Sequence, residues 1–508
     1  MSVGVRANTV AGQTKANILT SILYQIVAAV CSLLLPRFIL VSFGSDANGV
    51  LQSVNQFLSY TVLMECGIGG QIMAAFYKPL AEGDIEAVSD IFHYAKRFFN
   101  KISYLYIALV LVFAVSAKAV IRTDFDFGYV STLVVILGVS YYFTYYLAMT
   151  HRLLIRADQK IRIVQLTQSV TLVLNTAVCL FAIKLGCGIH AVKLISAFVL
   201  LLNPLIFRLY VKKHYAIGRQ VYDQNREYPR KRDAMVHHAA YFIHMNTDIV
   251  LISVACGTTE VSVYSVYNSV IYAISNFFGA ISDSVSAAIG NILAKGEHNA
   301  LKESFEAYRF VNTALATFVC TAEAILILPF AKMYTSGVTD AVYVRPIFAY
   351  FMIAAQWFSC MRTPFNSLIN AAGHYRQTKS GAYLEVLLNV GLSVLLLPGF
   401  GIVGVAFGTL AAMAARSVYM AWYLSKNLLM RSLAGYVREV ILNLLFGVLV
   451  TAFFTKSFVI SSDSFVSWAF CAVLVSIALA IAVVLFNLLI HGSLMASWWN
   501  KLKRKSTK

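Results

Sequence analysis

Fourteen stretches of mainly apolar residues, joined by short polar links, constrain this chain more than any other feature. They cover approximately 17–43, 49–77, 98–120, 128–150, 161–185, 188–210, 237–256, 262–293, 310–332, 341–370, 378–398, 401–424, 436–455 and 465–490. A helix needs about 20 such residues to cross the hydrocarbon of a bilayer. The expected fold class is therefore an all-α polytopic membrane protein with fourteen transmembrane helices. The first stretch is too long for a cleaved signal peptide, and no small-residue cleavage site follows it. Only 13% of the residues are charged, against roughly 25% in soluble domains. Together with a mean hydropathy of +0.71, this excludes an ordinary soluble enzyme and a disordered chain.

A net charge of +18 would suggest nucleic acid for a soluble protein. Here it has to be read by location, because membrane proteins concentrate Lys and Arg on the cytoplasmic side. With the N-terminus in the cytoplasm, 31 of the 41 basic residues fall in or beside cytoplasmic segments and 7 beside external ones. The remaining three, Arg37, Arg362 and Arg416, lie inside spans. Both termini are thus expected in the cytoplasm, with membrane lipids and no nucleic acid as partners. The longest link, about 211–236, is strongly basic and suits a loop lying against anionic lipid.

The two halves repeat. Shifted by 213 residues, 44–92 meets 257–305 with identities that include Gly44 with Gly257, Asn55 with Asn268 and Phe92 with Phe305. A second block at an offset of 214 pairs Ala157, Arg162, Leu174 and Asn175 with Ala371, Arg376, Leu388 and Asn389. Six spans separate the copies, so both enter the membrane from the same side. Parallel repeats of this kind place a substrate cavity between two rocking halves. The reading is a six-helix lobe over 1–215, a second over 216–428, and two further helices with a basic tail over 429–508.

Charges inside a membrane are costly, and they usually face protein, a partner or water. Arg37 follows Pro36, whose missing donor suits a kink facing a cavity. Arg362 precedes Pro364 in the same manner, and Arg416 lies near the inner leaflet, where snorkelling to headgroups is the plain alternative. A guanidinium offers a forked, permanently charged partner for phosphate oxygens. Glu65, Asp248, Asp283, Glu323 and Glu385 are the acids noted within spans. Glu65, Asp248 and Glu323 are candidate sites for a coupling H+ or Na+, or salt-bridge partners of the arginines. Tyr142 and Tyr145, in the run 141–146, belong either to packing or to a wall whose rings stack on sugars. No Walker-type glycine loop and no metal-ligand spacing occurs, and the eight cysteines form no CxxC pair. No ATP, metal or other cofactor is expected.

Several segments resemble a known family. They are Leu63-Met64-Glu65-Cys66-Gly67-Ile68-Gly69-Gly70, Tyr77-Lys78-Pro79-Leu80-Ala81-Glu82-Gly83-Asp84, and Pro36-Arg37-Phe38 before Gly44. Asn246-Thr247-Asp248-Ile249-Val250-Leu251-Ile252, Ala287-Ala288-Ile289-Gly290-Asn291 and Ala294-Lys295-Gly296 follow in the same order. They resemble the bacterial polysaccharide transporters (oligosaccharide flippases) of the multidrug/oligosaccharidyl-lipid/polysaccharide exporter superfamily. The resemblance implies a V-shaped cavity with a cationic interior. It also implies alternating-access flipping of undecaprenyl-pyrophosphate-linked oligosaccharide across the bacterial plasma membrane. The product would serve surface polysaccharide such as O-antigen, capsule or exopolysaccharide, with a polysaccharide polymerase and glycosyltransferases as partners. A cation-coupled small-molecule exporter is the alternative, although span 1 carries Arg37 and no acid. A membrane polymerase or ligase would need a large external loop, and every external link here is short, so an enzyme is not expected.

Overall fold

In the computed structural model the described residues are 3–60, 68–218, 246–374, 376–428, 432–458, 460 and 464–506, and they contain helices and no strand. In chain order the helices are α1 (Val3–Ser59), α2 (Ile68–Glu82), α3 (Ile85–Val120), α4 (Phe127–Phe143) and α5 (Met149–Ala157). There follow α6 (Ile161–Lys184), α7 (Ile189–Leu200), α8 (Leu202–His214), α9 (Asn246–Ala255), α10 (Thr258–Ala294) and α11 (His298–Tyr334). The last are α12 (Pro346–Met361), α13 (Thr363–Ala372), α14 (Lys379–Phe400), α15 (Ile402–Asn427), α16 (Leu433–Ser457) and α17 (Phe465–Ser506). Among the described residues, ten helical segments are long and apolar enough to cross a membrane. Large apolar side chains such as Leu209, Leu395 and Leu489 are exposed, while Ser169, Asn175, Asn312 and Asn389 are buried. Large apolar side chains facing outward over buried polar ones suit a lipid surrounding. The chain is a multi-pass membrane protein.

Helix boundaries follow local chemistry. Gly44 has φ 85° and ψ 173°, a region essentially closed to side chains, and it divides α1 into two arms that correspond to the first two apolar stretches. Helical dihedrals persist through Pro36, and the helix breaks at Gly44. Asp84 caps α3 by accepting from the Ala87 N–H at 2.9 Å, and Asp126 caps α4 by accepting from the Gly128 N–H at 3.0 Å. A turn of π-helix, Thr144–Ala148, joins α4 to α5. Arg362 ends α12 and begins α13, with Pro364 in the first turn, where a proline costs no hydrogen bond.

The chain forms two compact units, one of residues 1–265 with 337–341 and the other of residues 266–336 with 342–508. In the first, Phe76, Phe92, Phe99, Leu154 and Phe207 build one apolar core. Val50, Val54, Tyr106, Leu133 and Ile189 build another. At one end of this unit, links that the charge count assigns outside are tied together. Asp46 accepts from the Thr123 hydroxyl at 2.8 Å and from the Thr258 hydroxyl, and Asp340 accepts from the Ser45 N–H at 2.7 Å. The Asn48 amide donates to Ser262 Oγ at 2.7 Å. In the second unit Phe365 lies between Phe305 and Tyr436, with ring centroids 5.7 and 5.2 Å away.

Candidate functional site

Two of the three intramembrane arginines meet within the second unit. Arg362 and Arg416, 54 positions apart, converge on one carboxylate. Arg362 Nη1 donates to Glu385 Oε1 at 2.5 Å, and Arg416 Nε stands 3.5 Å from Glu385 Oε2. Arg416 Nη1 also donates to the Thr378 carbonyl at 3.2 Å, and its guanidinium lies over the Tyr419 ring. All three charged groups are buried, and the trio keeps one net positive charge. Gly381 makes room for it, since a Cβ there would stand 2.3 Å from Arg416 Nη1 and from the Tyr419 ring. Arg362 stands at the junction of α12 and α13.

Arg37 is different. It lies half-buried in the first arm of α1, with no hydrogen-bond or ion-pair partner among the described residues.

The acids also divide. Asp248, buried on α9, accepts from the Tyr264 hydroxyl at 3.1 Å. Its neighbours Asn246 and Thr247 bond Gln56 and Tyr60 of the first unit. Glu323 is buried in α11, with neither carboxylate oxygen hydrogen-bonded among the described residues. Glu65 and the side chain of Asp283 lie outside the described residues. Glu385, noted in the sequence only as one acid among five, is the hub of the arginine site.

Tyr145 is buried in the core of the first unit, its ring 6.0 Å from that of Tyr106. Tyr142 is half-buried and stacks on Tyr146 at 5.6 Å.

Sequence reasoning missed a second buried charge group. Arg309 of α11 bonds Glu439 of α16 and lies 2.9 Å from Glu306. The signal was present: Glu439 stands inside the apolar stretch 436–455, where a carboxylate needs a cation.

No family model and no curated protein matches the sequence. Solved structures do. The lipid II flippase MurJ in its inward-closed conformation superposes with a TM-score of 0.68 at 13% identity, over 94% of this chain and 99% of its own. The chain shares the fold of that flippase. An outward-facing multidrug resistance MATE transporter superposes with a TM-score of 0.54 at 12% identity, over 88% of this chain and 97% of its own. The Vibrio cholerae MATE transporter VcmN in its bent form gives 0.52 at 13% identity, over 83% and 98%. These neighbours include a lipid II flippase and multidrug resistance transporters, and what the present chain shares with them is the fold.

Proposed function

We propose that this protein flips a diphosphate-linked lipid oligosaccharide, undecaprenyl-pyrophosphate in type, across the bacterial plasma membrane by alternating access. Fourteen spans with both termini cytoplasmic would form two six-helix lobes, 1–215 and 216–428, related by the parallel repeat, with 429–508 as an appended pair. The observation that carries the reading is Arg37: an intramembrane guanidinium whose charge no described residue answers. A diphosphate is the complementary ligand. The likeness to a lipid II flippase over nearly the whole chain supports a lipid-linked cargo. Arg362 and Arg416, sharing one carboxylate, offer surplus positive charge at a second position. Tyr142 supplies an aromatic face for a sugar, and buried Tyr145 holds that segment in place. Glu65, Asp248 and Glu323 are the acids proposed to couple the cycle to H+ or Na+. A polymerase and glycosyltransferases would act on the same glycan.

The test is an alanine series in a strain whose surface polysaccharide depends on this protein. Arg37→Ala should lower polymer at least tenfold at normal protein abundance. Arg37→Lys, which keeps the charge and loses the fork, should fall between alanine and wild type. Wild-type polymer in Arg37→Ala would remove Arg37 from the mechanism. Drug efflux without any effect on polymer would favour the small-molecule exporter.

A further inference from the structure

Glu323 lies about 16 Å along α11 from its end at Tyr334, in the middle of the apolar stretch 310–332. Its residue is only 6% exposed and both carboxylate oxygens lack a hydrogen bond among the described residues. An ionised carboxylate in that setting would be a bare charge out of water, whereas the neutral acid is tolerated. Packing does not require an acid there: at the 213-residue offset Glu323 falls on Val110, an apolar core residue of the other half.

The surroundings select the ligand. A titratable group beside Glu323 among the described residues is the thiol of Cys320, one turn before it on α11, which in turn neighbours the Cys360 thiol on α12. Hard cations such as sodium take several oxygen ligands, and thiols are soft donors. Among the described residues no group of three or more His, Cys, Asp or Glu side chains could hold a metal ion. Of the helices packed against α11, α13 and the 465–490 part of α17 carry no charged residue, and α12 carries none before Arg362. The charged residues of α16 are Arg438, Glu439 and Lys456 at its ends, and Glu439 is committed to Arg309, about 21 Å along α11 from Glu323.

A cavity flanks Glu323 on the same helix. Cys320, Thr321 and Ala324 line a cavity of about 450 Å³ between α11, α12 and α16, which continues past Asn443 and Thr451 to Thr455 and Lys456. Its hydroxyls and amide offer water the polar partners it needs in an otherwise apolar space.

We infer that Glu323 is a proton-binding site, reached through the α11–α12–α16 cavity, whose protonation and release accompany transport. A proton joins the carboxylate to give the neutral acid while the site is shut, and it returns to water when the site is hydrated. This deepens the flippase reading and rests on it for the role in transport; the binding itself does not.

Purified full-length protein in lipid nanodiscs, followed by infrared difference spectroscopy across a pH titration, tests it. The expected result is the carbonyl band of a protonated carboxylic acid, absent in the isosteric Glu323→Gln variant and retained in Arg37→Ala and Glu323→Asp. Exchanging choline chloride for sodium chloride at constant ionic strength should leave it unchanged. An equal band in Glu323→Gln overturns the proposal, as does a band removed by sodium, which would make the ligand Na+. In cells, Glu323→Gln should lower polymer at least tenfold and Glu323→Asp less. Normal polymer in Glu323→Gln overturns the transport role even if the band is lost. Because the band needs no glycan, failure here and failure of the flippase reading at Arg37 are separate results.

Discussion

At the scale of single residues, the Arg362–Glu385–Arg416 group makes the sharpest stability statement. Removing one member of a buried charge group leaves the others unanswered, which typically costs about 3–5 kcal/mol. Glu385→Gln is therefore expected to lower the melting temperature of the detergent-solubilised protein markedly, with a loss of about that size. Adding Arg416→Met to it should restore part of the loss, since one uncompensated cation is then gone. Strict additivity of the two changes would contradict the coupling. Gly381→Ala should be destabilising by about 1–3 kcal/mol through overpacking against Arg416 and Tyr419. The arginines were legible in the sequence because charge stands out in an apolar stretch. Their partner was not, because Glu385 is one acid among several and only folding brings α12, α14 and α15 to a common point.

At the scale of elements, α16 is held to α11 by more than apolar contact. Arg309 meets Glu439, the Thr317 hydroxyl donates to Asn443 at 3.0 Å, and Gly447 lets Thr321 approach closely. Polar contacts between membrane helices are individually modest. Asn443→Leu is expected to cost about 0.6–2 kcal/mol, whereas Glu439→Leu, which strands Arg309, should cost about 3–5 kcal/mol. Steric-trap or thermal-melting measurements in detergent would rank them, and the reverse order would count against this account. The break in α1 belongs at this scale too. Gly44→Ala forces a Cβ into a backbone region that strains non-glycine residues by roughly 1–3 kcal/mol, so less folded protein should be recovered. Proline bends a helix while preserving helical dihedrals, whereas a φ near +85° ends the helix outright, so Pro36 does not account for the break at Gly44.

At the scale of the whole molecule, the charge asymmetry yields a topology that can be measured. Alkaline phosphatase fused in the links near 122–126 and 186–187 should be active. Green fluorescent protein at the C-terminus or near 160 should fluoresce, as expected of a cytoplasmic location. The opposite pattern would invert the orientation drawn from the basic residues.

The sequence by itself determined the solvent. Apolar stretches of bilayer length, sparse charge and the sidedness of Lys and Arg are local or additive properties, each carried by the chain without reference to its fold. Short segments placed in a fixed order also pointed to a fold that the solved structures share. Tertiary structure decided which charges answer one another. Arg362 and Arg416 are drawn to Glu385, Arg309 to Glu439, while Arg37 is left without a described partner and Glu323 without a described hydrogen bond. Those distinctions depend on distances between helices far apart in the chain, and in a low-dielectric interior a few ångströms separate a satisfied ion pair from a charge that must find its partner in a ligand.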